Sequence, residues 1–293
     1  MRRSLLFLPG NSPNMLMNGD VLGADALILD LEDAVAPDEK DAARILVRNA
    51  IKTLPFEGVE IVVRINALDG SRLWLDDLAE IVPLRPQFIM PTKVPDAAYV
   101  LEISQQMARI EQQHGIPEGS VGLIPLIESA LGLENAFQIA LADKRVAAVF
   151  LGAEDLTADL RCRRTMGGQE IFYARARMVA AARAAGIEVY DTPFTDVYDD
   201  DGLLEDIKLA KALGFSGKAA ISPRHVQAIN GLFSPGPEEI EYAREVLAAI
   251  EEAGRLGKGA VSLGGKMIDA PIVSRARQVL EMERAIRGGP VDD

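Results

Sequence analysis

Ala26-Leu-Ile-Leu-Asp-Leu-Glu-Asp33 is an apolar run that stops on carboxylates, and three further stretches share its form: Ile61-Val-Val-Arg64, Gly122-Leu-Ile-Pro-Leu-Ile-Glu128 and Ala148-Val-Phe-Leu-Gly-Ala-Glu-Asp155. Strands of a parallel sheet are buried on both faces and read as continuous apolar runs. In such sheets ligands lie beyond the carboxyl ends of the strands. The residues that end these runs therefore converge, and carboxylates gathered with an arginine read as a metal and anion site.

Working outward, strand-like runs at 4–8, 25–31, 60–65, 87–90, 121–127, 146–151, 187–190 and 218–221 alternate with helical patterns at 13–22, 38–54, 73–81, 96–113, 130–142, 170–185, 201–213 and 223–233. Eight strand-helix pairs with right-handed crossovers predict a (β/α)8 TIM barrel over residues 1–234. An open doubly wound sheet is the alternative, but it seldom runs to eight repeats without an antiparallel strand. From Pro235-Gly-Pro237 the pattern changes. Residues 235–293 are expected to hold a charged helix to about Glu252, then Gly254, Gly257, Gly259, Gly264 and Gly265, then Lys266-Met-Ile-Asp-Ala-Pro271 and a last helix over 272–286. An ordered helix after the glycines favours a hinged lid over an active site; a mobile tail is the alternative. A P-loop is excluded, because Ala260 stands where that motif needs glycine and Met267 where it needs a hydroxyl.

The 293 residues are 48% hydrophobic and 26% charged, the balance of a soluble globular protein with material for a core. A net charge of -13 argues against a nucleic-acid partner, whose phosphates want a basic face. Cys162 is the one cysteine, so no internal disulfide forms, which fits a reducing cytoplasm. Arg2-Arg3 precede an apolar run that stops at Pro9-Gly10, too short for a signal peptide. No stretch approaches the ~20 apolar residues of a membrane span. A cytoplasmic protein without membrane contact is expected.

The strand ends supply Asp30, Glu32 and Asp33; Arg64 and Asn66; Lys93; Glu128; Glu154 and Asp155; Asp191 and Thr192; and Ser222. Magnesium prefers one or two protein carboxylates, with water and substrate oxygens completing its octahedron. Glu128 and Asp155 end adjacent strands and are expected to reach one ion. Any single carboxylate read alone is an ordinary loop charge, but Glu128 directly follows Leu-Ile-Pro-Leu-Ile, where burial without a cation is costly. His114 and His225 sit at helix ends and are expected to be solvated or capping, which leaves zinc without ligands.

Ser4-Leu-Leu-Phe-Leu-Pro-Gly-Asn11, Leu29-Asp-Leu-Glu-Asp-Ala-Val35, Val63-Arg-Ile-Asn66, Pro125-Leu-Ile-Glu-Ser-Ala130, Leu151-Gly-Ala-Glu-Asp-Leu-Thr-Ala-Asp-Leu160, Glu170-Ile-Phe-Tyr-Ala-Arg175 and Gly265-Lys-Met-Ile-Asp-Ala-Pro271 resemble, in order and over nearly the whole chain, the citrate lyase β-subunit family within the HpcH/HpaI aldolase and malyl-CoA lyase group. The resemblance implies a Mg²⁺-dependent carbon-carbon lyase that splits a citryl thioester, on coenzyme A or an acyl-carrier protein, into oxaloacetate and an acetyl thioester. On this reading Glu128 and Asp155 hold the metal, and Glu32 meets it through water. Arg64 binds oxaloacetate in two-pronged fashion, aided by Lys93 and by the backbone N–H groups at Gly152 and Ala153. Asp269 on the lid protonates the enolate. The resemblance further implies a lid donated by a neighbouring subunit, hence a homotrimer, with citrate lyase α and γ subunits as partners. A malyl-CoA or citramalyl-CoA lyase, and a non-catalytic subunit, are the alternatives. Arg161, Arg163 and Arg164 are expected either to meet coenzyme A phosphates or to form a solvated loop.

Overall fold

The apolar runs become parallel strands: β1 (Ser4–Pro9), β2 (Ala26–Asp30), β3 (Glu60–Arg64), β4 (Phe88–Met90), β5 (Gly122–Leu123), β6 (Leu126–Ile127), β7 (Ala148–Leu151), β8 (Glu188–Asp191) and β9 (Gly217–Ala220). This computed structural model describes residues 1–255, 261–263 and 265–286. The chain divides into two units, Arg2–Asn230 and Gly231–Asp293 with Met1.

The sheet order is β5-β4-β3-β2-β1-β9-β8-β7-β6. It begins and ends on one stretch of sequence, because β5 and β6 are halves of the expected fifth strand. Pro125 has no N–H to carry the ladder through. Residues 123–126 nevertheless bond to both neighbours. Ile124 N–H donates to Ile89 O (3.0 Å) and Leu126 N–H to Pro91 O (2.9 Å), while Ala147 N–H donates to Leu123 O (3.0 Å) and Phe150 N–H to Pro125 O (2.9 Å). The eight expected strands thus appear as nine in a curled, TIM-barrel-like sheet. One apolar cluster draws Leu5, Ile28, Val62, Met90, Leu126, Phe150, Tyr190 and Ala219 from every strand position. Each fully buried Leu, Ile or Phe of this kind contributes roughly 1.5–3 kcal/mol.

Between the strands lie α1 (Pro13–Met17), α2 (Lys40–Thr53), α3 (Leu73–Ile81), α4 (Ala97–Gln113), α5 (Ala130–Glu134), α6 (Ala136–Ala140), α7 (Ala153–Asp159), α8 (Phe172–Ala185), α9 (Asp200–Leu213) and α10 (Pro223–Phe233). Two departures from the sequence reading matter. The helix expected over 130–142 breaks at Asn135, whose side chain donates to Pro95 O (2.9 Å), an alternative partner of the kind that ends helices. The stretch after β7, expected as loop, opens with α7, whose first turn carries Glu154 and Asp155. Acidic residues favour that end of a helix dipole.

The C-terminal unit contains α11 (Pro237–Arg255), α12 (Ala270–Ile286) and the antiparallel pair β10 (Val261–Leu263) and β11 (Lys266–Ile268). Ala243, Val246, Ile268 and Ala276 form its core. Within the glycine-rich stretch expected as a lid, a short hairpin turns at Gly265, with φ +79°; Gly257, Gly259 and Gly264 lie outside the described residues. Among those described, no helix is long and apolar enough to cross a membrane.

Candidate active site

Parallel register places Asp30 beside Arg64 on neighbouring strands. Arg64 Nε donates to Asp30 Oδ1 (2.7 Å) and its Nη2 to Oδ2. Asp30 also accepts the N–H groups of Glu32 (2.8 Å) and Ala34 (3.1 Å). Four donors saturate this fully buried carboxylate. Asp30 is therefore the anchor that aims Arg64, a role that the sequence reading missed. The guanidinium Cζ lies 4.9 Å from the Phe7 ring centroid. Burial lowers the Arg64 pKa, but the Asp30 hydrogen bonds and the charges of Asp30, Glu32 and Asp33 outweigh it and raise it overall.

Glu128 emerges from β6 almost buried, 7% exposed. Its Oε1 accepts the Lys93 N–H (2.7 Å), which Lys93 presents from a left-handed backbone, φ +54°. Gly152 faces the same carboxylate. A Cβ there would stand 2.7 Å from both Cβ and Oε2 of Glu128, so only glycine lets the two strand ends meet. Burial, with Asp155 and Glu32 adding to it, pushes the Glu128 carboxyl up to about 8 against the Lys93 N–H and Arg64. A buried acid that gives up its proton this reluctantly is well suited to exchange it for a cation.

The Lys93 ammonium lies 2.8 Å from Glu32 Oε1, 3.8 Å from Asp33 and 4.0 Å from Asp155. Glu32 lies 3.4 Å from Arg64 Nη1. Burial raises the Glu32 carboxyl more than Arg64 and Lys93 lower it. Arg64, Glu128, Gly152, Ala153 and Asp155 line one cavity of about 230 Å³ with Asp30, Asp33 and Glu154. Phe7, Leu126, Phe150, Pro193 and Ile221 form its apolar wall. Among the described residues no three His, Cys, Asp or Glu side chains gather into a metal cage. The two expected donors, Glu128 and Asp155, open on a cavity that admits water and ligand oxygens, which fits a hard, octahedral cation.

Several expected residues lie elsewhere or are otherwise engaged. Gly152 N–H donates to Ile127 O (2.9 Å) and Ala153 N–H to Thr192 Oγ1 (3.3 Å), so in this arrangement neither amide is a free donor to a carboxylate. Asn66 is held by Asp77, which accepts both its N–H (2.9 Å) and its Nδ2 (2.7 Å). Asp191 joins a buried network: Arg175 reaches its two oxygens at 2.9 Å each, and Lys218 Nζ lies 2.6 Å from Oδ2. His225, expected to be solvated or capping, is 1% exposed and packs against Phe194 with ring centroids 6.4 Å apart, so it is not solvated. Arg164 pairs with Glu170 (2.7 Å), leaving Arg161 and Arg163 as the exposed cations of that loop. Asp269 belongs to the C-terminal unit, where its Oδ1 accepts the Ile272 N–H (3.1 Å) at the start of α12.

A family model described as HpcH/HpaI aldolase/citrate lyase matches residues 3–223. The citrate lyase subunit beta of Leuconostoc mesenteroides subsp. cremoris is 41% identical over 285 residues, 97% of this chain and 94% of that protein. CitE from Mycobacterium tuberculosis, solved with magnesium, acetoacetate and coenzyme A, aligns with TM-score 0.77 and 30% identity over 96% of this chain and 97% of its own. A citrate lyase beta subunit from M. tuberculosis, complexed with oxaloacetate and magnesium, gives TM-score 0.68 and 30% identity over 80% and 97% of the two chains. With the match running through nearly the whole sequence and through the fold, the chain belongs to the HpcH/HpaI aldolase/citrate lyase family.

Proposed function

We propose that the protein is a Mg²⁺-dependent carbon-carbon lyase that cleaves a citryl thioester into oxaloacetate and an acetyl thioester. The observation that carries this reading is the convergence of Glu128, Asp155 and Arg64 on one cavity. The oxaloacetate and magnesium bound by the M. tuberculosis protein support it.

Glu128 and Asp155 would hold Mg²⁺. When bound, the ion supplies Lewis acidity that lowers the cost of negative charge on the substrate's hydroxyl oxygen. Arg64 spends its Nε and one Nη2 hydrogen on Asp30; of the five N–H donors of a guanidinium three remain, Nη1 being shared with Glu32 at 3.4 Å, to meet a carboxylate of the oxaloacetate half. Asp30 fixes the plane of that fork. Glu32, with its carboxyl raised by burial, is the group that accepts the hydroxyl proton. The C–C bond then breaks, its electron pair passes to the thioester enolate, and the former hydroxyl carbon becomes the oxaloacetate ketone. Asp269 gives the enolate carbon its proton. Lys93 adds positive charge for the dicarboxylate. Gly152 and Ala153 serve by closeness, as their lack of bulk lets ligand atoms approach Glu128.

The complete reading is a closed (β/α)8 barrel over 1–234, a C-terminal lid, a cytoplasmic homotrimer in which each lid serves its neighbour, and delivery of the thioester by coenzyme A or an acyl-carrier protein beside α and γ subunits. Comparing citryl-, malyl- and citramalyl-CoA cleavage with and without Mg²⁺ tests the chemistry. Preference for a malyl or citramalyl thioester would replace the substrate, and inactivity towards all three would favour the non-catalytic alternative. Mixing inactive Asp269→Asn with inactive Glu128→Gln chains tests the shared site. Partial recovery is expected, and none in well-mixed oligomers refutes donation between subunits.

A further inference from the structure

We infer that Lys93 is an internal counter-cation of the metal site: its ammonium balances the carboxylates before the metal arrives, opposes the metal's charge once it is bound, and thereby trades Mg²⁺ affinity for affinity towards an anionic substrate. The inference rests on the proposed metal site at Glu128 and Asp155.

Lys93 reaches the cluster with two separate groups. Its backbone N–H holds Glu128 Oε1 at 2.7 Å. Its Nζ stands 2.8 Å from Glu32, 3.8 Å from Asp33 and 4.0 Å from Asp155. The first contact orients one proposed metal ligand and survives any side-chain replacement. The second places a full positive charge beside the other ligand. Arg64, the cation that lines the cavity, already faces Asp30 and Glu32. Asp33 and Asp155 therefore look to Lys93 for their nearest positive charge.

Charge alone fixes the sign of both effects. An ion on Asp155 sits close to a like-charged ammonium, so that ammonium weakens its binding. Oxaloacetate, an anion arriving among carboxylates, meets the opposite effect and gains from the same ammonium. A lysine that served only to tether Glu32 would give a different pattern, since its loss would loosen the cluster and weaken both ligands. The 48% exposure of the Lys93 side chain allows screening by salt, which keeps the expected changes moderate.

The experiment is a calorimetric Mg²⁺ titration of metal-free wild type, Lys93→Met, Lys93→Arg and Glu128→Gln, followed by oxaloacetate titration at saturating Mg²⁺, with thermal unfolding of each variant. In Lys93→Met, Mg²⁺ is expected to bind about threefold or more tighter, and oxaloacetate about threefold or more weaker, the scale of one partly screened charge. Lys93→Arg should restore both, and the difference between wild type and Lys93→Met should shrink at high salt. Lys93→Gln serves if the Met variant does not fold. Mg²⁺ affinity that is unchanged or weaker in the neutral variants overturns the inference while leaving the metal site standing. Mg²⁺ binding that persists in Glu128→Gln overturns the metal site and this inference together.

Discussion

As a proposed Mg²⁺ ligand, Glu128 would make metal binding a proton-coupled event whose size follows from its raised carboxyl. In the metal-free protein, burial and the neighbouring Asp155 and Glu32 charges push its carboxyl up to about 8. A group at that value is about nine-tenths protonated at pH 7, so binding should release about 0.9 proton at pH 7, about 0.5 at pH 8 and about 0.1 at pH 9. Apparent Mg²⁺ affinity should then rise about ninefold from pH 6 to 7, about fivefold from pH 7 to 8, and less than twofold from pH 8 to 9. Calorimetric titration in two buffers of different ionisation enthalpy counts the protons directly. A binding enthalpy independent of the buffer at pH 7 would refute the argument. Stability carries the opposite sign. Between the ordinary glutamate range and about 8 the folded state binds more protons at this site than the unfolded state, so this site's contribution to metal-free stability falls as pH rises through that window. Saturating Mg²⁺ should remove the slope, because the bound cation takes the proton's place.

Three substitutions test the geometry. Arg64→Lys keeps the charge but loses the fork aligned by Asp30, and turnover should drop about a hundredfold or more, from the ~2.7–4 kcal/mol of a lost transition-state donor; near-wild-type kinetics would remove Arg64 from the mechanism. Gly152→Ala puts a methyl 2.7 Å from Glu128 Cβ and Oε2, and Mg²⁺ affinity should fall about tenfold or more while the far-ultraviolet circular dichroism stays unchanged; unaltered affinity would show that the strand ends can part at no cost. Arg175→Met leaves Asp191 and Asp206 with Lys218 as their shared cation, and should destabilise the fold by about 3–5 kcal/mol, seen as a melting temperature lower by roughly 10 °C; a variant that melts like wild type would show that Lys218 suffices.

The strand ends were legible because parallel strands leave an unalternating apolar trace with charge at one terminus. That single feature located Arg64, Glu128 and Asp155 and predicted their convergence. The pairing of those charges was less legible. Asp30 and Asp191 end their runs just as Glu128 does, yet each is consumed by a buried cation, Arg64 or Arg175, and the choice follows from register and from a helix residue on α8 that periodicity cannot place. Arg175 closes the Glu170-Ile-Phe-Tyr-Ala-Arg motif, so the sequence marked it without revealing its task. Helix α7 was missed because Gly-Ala-Glu-Asp reads equally as loop and as helix start. His225 was read as solvated or capping from its place at a helix start, whereas the chain buries its ring against Phe194.

Crowding carboxylates at one end of a curled parallel sheet is unfavourable by itself, and a chain whose one cysteine is unpaired has to hold them by noncovalent means. It does so with cations that are themselves fixed. Lys40 Nζ donates to the carbonyls of Leu31 (2.9 Å) and Glu32 (2.6 Å), pinning the loop that carries Glu32 and Asp33. Lys218 Nζ donates to Thr192 O (2.6 Å), and the Thr192 hydroxyl accepts the Ala153 N–H (3.3 Å) at the start of α7, whose first turn bears Asp155. Glu32, Asp33 and Asp155 thus sit on segments tied to Lys40 or Lys218. Apolar residues in place of buried ion pairs often stabilise a fold more, but unlike these lysines they hold no backbone carbonyl in place. These lysine ties give up stability for position, and position is what distinguishes two proposed metal ligands just beyond neighbouring strands from an ordinary acidic surface.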